Sequence, residues 1–117
     1  MLNFSVDFYK EDDGKCPVRE FIDSLDNKLK AKLLRLLVLL ENNGNELREP
    51  YSKPIGDGIF ELRVKRGTDI VRILYFFVVG HRIILTNGFI KKTQKTPIAE
   101  FELARRYRAT YLRREER

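Results

Sequence analysis

Ile70-Val71-Arg72-Ile73-Leu74-Tyr75-Phe76-Phe77-Val78-Val79 is the most apolar stretch of the chain, and a single charge interrupts it. A continuous run rich in β-branched and aromatic residues predicts a central strand buried on both faces. An unpaired guanidinium inside such a strand would cost several kcal/mol. Either a carboxylate neutralises Arg72, with Glu61 of a neighbouring strand as the partner, or the sheet opens there into a polar cleft that uses a fixed positive charge. The flanking sequence favours the cleft. Glu61-Leu62-Arg63-Val64-Lys65-Arg66 lies upstream and Phe89-Ile90-Lys91-Lys92-Thr93-Gln94-Lys95-Thr96-Pro97 downstream, so basic clusters fall on what read as three adjacent strands.

Outward from this run, short strands are predicted at about 59–65, 69–79 and 81–89, with Gly67-Thr68 and Gly80 supplying the hairpin turns. Toward the N-terminus, Leu2, Phe4, Val6 and Phe8 alternate with polar residues, which predicts a half-buried strand over 2–9. Glu11-Asp12-Asp13-Gly14 reads as a turn. Pro17 at a first helical position, followed by Val18, Phe21, Ile22 and Leu25, predicts a short amphipathic helix behind Cys16.

Asp26 or Asn27 can cap a second helix that stops at Gly44. Its stripe of Leu29, Leu33, Leu36, Leu37 and Leu40 is widened by Ala31, Leu34 and Val38 beyond what one sheet face requires. The extra width and an exposed C-terminal helix are expected docking faces for a partner. Residues 45–58, with Pro50, Pro54, Gly56 and Gly58, read as an irregular loop. Thr96-Pro97 starts the last helix, with Ile98, Phe101, Ala104 or Arg105, and Leu112 on its spacing. The order β-α-α-β-β-β-α predicts a single α+β domain over 1–117: a mostly antiparallel four-stranded sheet with the helices on one face.

The 117 residues carry 34% charged and 43% apolar side chains, as expected of a soluble cytoplasmic domain with no membrane partner. One cysteine, Cys16, leaves no internal disulfide to form. The net charge of +6 is unevenly placed, because residues 59–95 hold eight Lys and Arg against two acidic residues. A concentrated positive patch points to a polyanionic partner, nucleic acid first.

With one histidine, His81 in a turn, neither a histidine metal cluster nor a Ser-His-Asp triad can be assembled. Glu11, Asp12 and Asp13 lack calcium-loop spacing, and Gly56-Asp57-Gly58 is no phosphate loop. No cofactor or metal is expected. What remains is Arg63, Lys65, Arg66, Arg72, Lys91, Lys92 and Lys95, with Phe89 and Tyr75 among them. Clustered cations cradle a phosphodiester and stabilise its transition state. They also favour the neutral form of a lysine in their midst, which can then serve as a general base. An aromatic beside them stacks an unpaired base. A base that deprotonates an RNA 2′-hydroxyl lets the ribose attack its own phosphate.

The chain resembles the RelE/ParE toxin superfamily, and within it the HigB-like, phage-derived branch, over nearly its whole length. The resemblance rests on Pro17-Val18-Arg19-Glu20-Phe21, Pro50-Tyr51-Ser52-Lys53, Gly58-Ile59-Phe60-Glu61-Leu62-Arg63, Arg72-Ile73-Leu74-Tyr75-Phe76, and the segment from Gly88 to Pro97. It implies a RelE-like fold and the toxin of a type II toxin–antitoxin pair: an endoribonuclease cleaving mRNA on the ribosome.

Carried onto this chain, it makes Arg72 the phosphate-stabilising arginine and places Lys92 near the leaving oxygen. Arg63 and Lys65 lie on the strand that bears paired lysines in RelE, and the general base is Lys65 or Lys91. Phe89 and Tyr75, with Arg66, Lys95 and Thr93, are the expected substrate contacts. The terminal tyrosine of RelE-like sites has no clear match, and the histidine-containing site of some HigB toxins is absent. The implied partners are a helix-turn-helix, HigA-like antitoxin, the ribosome and its mRNA, with operator DNA reached only through the antitoxin. A ParE-like gyrase poison acting by binding, or a degenerate module that only binds antitoxin, are the alternatives.

Overall fold

The computed structural model describes residues 3–116, so Leu2 of the predicted first strand lies outside the described residues. The elements are β1 (Ser5–Phe8), α1 (Pro17–Asp23), α2 (Asn27–Asn43), β2 (Ser52–Gly56), β3 (Ile59–Arg66), β4 (Asp69–Val78), β5 (Arg82–Lys91) and α3 (Ile98–Glu115). They form the expected α+β architecture around one sheet of order β1-β5-β4-β3-β2, with β1 parallel to β5 and the other pairs antiparallel. The three basic strands β3, β4 and β5 are therefore adjacent, with the Arg72 strand in the middle of the sheet.

The local reasons for the helices are those the sequence suggests. Cys16 is the buried, extended residue before Pro17. The Asp26 side chain accepts from the Leu29 N–H at 2.8 Å, and α2 ends where Gly44 turns to a φ of +53°. Leu29, Leu33, Leu36, Leu37 and Leu40 are all buried, each contributing about 1.5–3 kcal/mol of burial. With Val18 and Ile22 of α1 they cover Leu62, Val64, Val71, Ile73, Tyr75, Ile83 and Leu85 of the sheet. Gly88 of β5 lets α1 approach, since a Cβ there would stand inside the Phe21 ring.

Three expectations need correction. The sheet has five strands, because Ser52–Gly56 in the predicted loop pairs with β3. Pro54 and the bulge at Gly56 disguise it, and an outer strand tolerates both. The helices cover both faces: α3 packs Ala104 and Phe101 on Ile59, Leu74 and Phe89, and Tyr107 and Tyr111 against Tyr9, Phe76 and Ile84. The predicted stripe of α3 holds at Phe101 and Ala104 but fails at its two ends. Ile98 and Leu112 are exposed, while Ala104 is its one fully buried position. On α2, Leu34 and Val38 point outward. Among the described residues no helix is long and apolar enough to cross a membrane.

Candidate functional site

The cross-strand registers place the basic residues in rows on the face that meets α3. Arg63 stands opposite Arg72, which stands opposite Phe89; one step along, Lys65 faces Ile70, which faces Lys91. The two lysines thus flank Ile70, roughly 10 Å apart across two strand spacings.

No polar cleft opens at Arg72. Its side chain and that of Glu61 are fully buried, and its Nε lies 3.8 Å from Glu61 Oε1. That same oxygen accepts from Arg63 Nε at 2.6 Å, and Glu61 Oε2 accepts from the Thr96 hydroxyl at 2.7 Å. Arg72 Nε itself has no hydrogen-bond partner among the described residues. Two guanidiniums share one carboxylate, which leaves an excess of positive charge below the surface. Backbone carbonyls of the following loop answer it. Arg72 donates from Nη1 to the Lys95 carbonyl at 3.1 Å and from Nη2 to the Thr93 carbonyl, and Arg63 donates from Nη2 to the Gln94 carbonyl. Three consecutive carbonyls are therefore held by two buried or half-buried arginines. Burial pulls the Arg72 guanidinium below its ordinary range, Glu61 opposes this, and Arg63 reinforces it.

The remaining predicted residues fall into three groups. Lys65, Lys91, Lys92, Thr93 and Lys95 are exposed around this network, with the backbone of Thr93 and Lys95 turned inward and their side chains outward. Arg66 is exposed at the hairpin end, paired with Asp26 at 2.5 Å. Phe89 and Tyr75 are not available to a nucleotide. Phe89 is buried in the α3 core with the Arg72 guanidinium 5.8 Å from its ring centre. Tyr75 is buried on the opposite face, its hydroxyl 2.5 Å from Ser52 Oγ, and burial raises its pKa against the effect of that hydrogen bond.

Two open clefts adjoin this network. One of about 520 Å³, between β2 and the start of α3, is lined by Arg63, Lys95 and Thr96. The second, of about 610 Å³, separates α2 from the edge of β3. Lys32, Arg35, Leu36 and Leu39 line it from α2, Arg63, Val64 and Lys65 from β3, and Pro50, Tyr51 and Gln94 close its ends. Four cations and one carboxylate, Glu49, surround an apolar floor, and Tyr51 is 47% exposed. Arg63 joins the two parts of the site: Glu61 and Gln94 hold it from behind, and it lines the cleft in front.

Lys32, Arg35 and Tyr51 were not singled out by the sequence reading. The first two sit between buried leucines of α2, a position usually occupied by solvated charges. Tyr51 sits in the Pro50-Tyr51-Ser52-Lys53 segment that contributes to the resemblance.

A comparison with curated proteins finds no match. A family model described as "Phage derived protein Gp49-like (DUF891)" matches residues 20–109, which span every residue of the buried network and the cleft. This chain belongs to the Gp49-like phage-derived family, a family of RelE/HigB-like toxin type.

Proposed function

We propose that this protein is the toxin of a type II toxin–antitoxin pair, and that it cleaves ribosome-bound mRNA in the cytoplasm without a metal, using the cleft between α2 and β3. One observation carries the reading: Arg63 and Lys65, neighbours on one face of β3, line the same cleft as Lys32 and Arg35 of α2. Such convergence on one groove suits a phosphodiester backbone better than a merely solvated surface does.

In this mechanism Tyr51 stacks an unpaired base at the lip while Lys32 and Arg35 hold flanking phosphates. Lys65 accepts the proton of the 2′-hydroxyl, and the freed oxygen attacks the adjacent phosphorus. Arg63, fixed by Glu61, takes the charge that builds on the phosphoryl oxygens. The bond to the 5′-oxygen breaks, and Lys92, exposed on the loop beside the cleft rather than in its lining, donates the proton this oxygen needs. The products are a 2′,3′-cyclic phosphate and a 5′-hydroxyl. Lys65 is preferred over Lys91 as the base because it lines the cleft beside Arg63. Arg72 acts from behind as a positioning residue, ordering the loop that carries Lys92. An antitoxin is the regulatory partner that the toxin-type family implies.

The test is to add purified protein to ribosomes programmed with a defined mRNA in the presence of EDTA-stripped protein buffer, then to analyse the RNA ends. Fragments ending in a 2′,3′-cyclic phosphate are expected. Intact mRNA, with inhibited DNA gyrase in a parallel supercoiling assay, would instead favour a ParE-like poison.

A further inference from the structure

Both outer strands of the sheet are closed to further pairing. Along β1 the N–H groups turned away from β5 belong to Phe4, Val6 and Phe8. They donate to the Glu41 carbonyl, to Glu41 Oε2 and to Asp7 Oδ1, each at 2.9 Å. Along β2 the outward positions are Ser52, whose N–H donates to the Arg48 carbonyl at 3.2 Å, and Pro54, which has no N–H. Occupied or missing donors of this kind keep a sheet edge from recruiting other chains.

One stretch lacks this protection. β3 is an inner strand only as far as Arg63: its pairing with β2 ends at Leu62–Ser52, and the Arg63 N–H then donates to the Tyr51 carbonyl at 3.0 Å. Backbone alternation turns the N–H and C=O of Lys65 to the same side. Among the described residues nothing accepts from that N–H, and the carbonyl meets only Lys32 Nζ at 3.4 Å. The open edge faces the 610 Å³ cleft.

We propose that residues 64–66 of β3 accept an extended segment of a protein partner as an added strand, alternating apolar and acidic side chains. The alternation follows from the two faces of the sheet. Side chains beside Val64 would descend onto Leu36 and Leu39, and those beside Arg63 and Lys65 would meet cations. A strand supplies both the acceptor for the Lys65 N–H and a donor for its carbonyl, whereas a phosphodiester offers acceptors only. Occupancy would also shut the cleft to RNA, and this consequence alone rests on the nuclease reading.

Amide hydrogen exchange on the full-length, isotope-labelled protein tests the site. The probe is a capped synthetic peptide alternating valine with glutamate. Its controls are the same peptide N-methylated along one edge and a valine–lysine version. In the free protein the Lys65 amide is expected to exchange freely, and the valine–glutamate peptide should slow it by about tenfold or more. Neither control should do so. A Lys65 amide already protected in the free protein, one indifferent to the peptide, or one equally protected by the N-methylated version overturns the proposal. So does protection by a non-cleavable single-stranded RNA where the peptide gives none. RNA cleavage measured in parallel separates the two readings: protection without any cleavage activity would defeat the nuclease reading and leave the strand site standing, and active cleavage without protection would do the reverse.

Discussion

Arg63 donates its Nε–H to Glu61 Oε1 at 2.6 Å, and through that single carboxylate the half-buried arginine at the mouth of the cleft is tied to the fully buried Arg72. Removing the carboxylate leaves two guanidiniums facing each other with no counter-charge. Glu61→Gln is expected to lower unfolding free energy by about 3 kcal/mol, in the range for breaking a buried ion pair from one side. Urea denaturation measures this. A loss below about 0.5 kcal/mol, typical of surface changes, would show that the network is not held by charge.

Arg72 holds the Thr93 and Lys95 carbonyls, and the proposed mechanism makes it a positioning residue on that ground. A lysine keeps the charge but lacks the planar fork that reaches both. Arg72→Lys should speed amide exchange across residues 94–96 and reduce kcat for RNA cleavage. Affinity for a non-cleavable RNA should stay near wild type, because the cleft side chains are untouched. Equal losses in affinity and kcat would contradict a positioning role.

Gly88→Ala should destabilise the fold by about 1–3 kcal/mol, the usual range for overpacking, since the new methyl meets the Phe21 ring. Adding Phe21→Leu should recover part of the loss. A neutral Gly88→Ala would mean that α1 can shift away from β5.

The alkaline limit of stability depends on tyrosines. Burial, reinforced by the hydrogen bond to Glu11, pushes the Tyr107 hydroxyl up to about 12. A raised acid favours the folded state below the ordinary value of 10.0 and loses that contribution as pH climbs through the folded value. Stability should therefore fall between about pH 10 and 12, and Tyr107→Phe should make the fall shallower. It should not abolish it, because the Tyr75 and Tyr111 hydroxyls are raised in the same direction. Circular dichroism across this range tests the prediction; an unchanged slope in Tyr107→Phe would contradict it.

The parts of the fold legible in the sequence are those set by local pattern: the Asp26 cap, the leucine stripe of α2, the Gly44 stop and the apolar run of β4. β2 escaped because Pro54 and Gly56 are turn residues everywhere except on an outer strand. The side of the sheet taken by α3 was hidden for a different reason. Tyr107 and Tyr111 half-bury their rings and keep their hydroxyls on polar partners, so the stripe that begins at Phe101 and Ala104 continues through two tyrosines rather than to Leu112.

At the site, the row of basic residues on β3, β4 and β5 was legible because short hairpins set their register. The closure over Arg72 was not. It depends on Glu61 lying diagonally across the ladder and on carbonyls of a loop whose path no periodicity encodes. Tyr51, Lys32 and Arg35 meet Lys65 only after the α2 helix has packed against the sheet.

The most direct measurement is the single-turnover rate at which Lys65→Ala cleaves mRNA on programmed ribosomes. Lys65 is exposed, so the substitution should leave stability within about 0.5 kcal/mol of wild type. Loss of a general base should slow cleavage by roughly 10²–10⁴-fold while RNA binding persists. Cleavage at the wild-type rate by a folded Lys65→Ala protein would contradict the assignment of the cleft between α2 and β3 as the nuclease site.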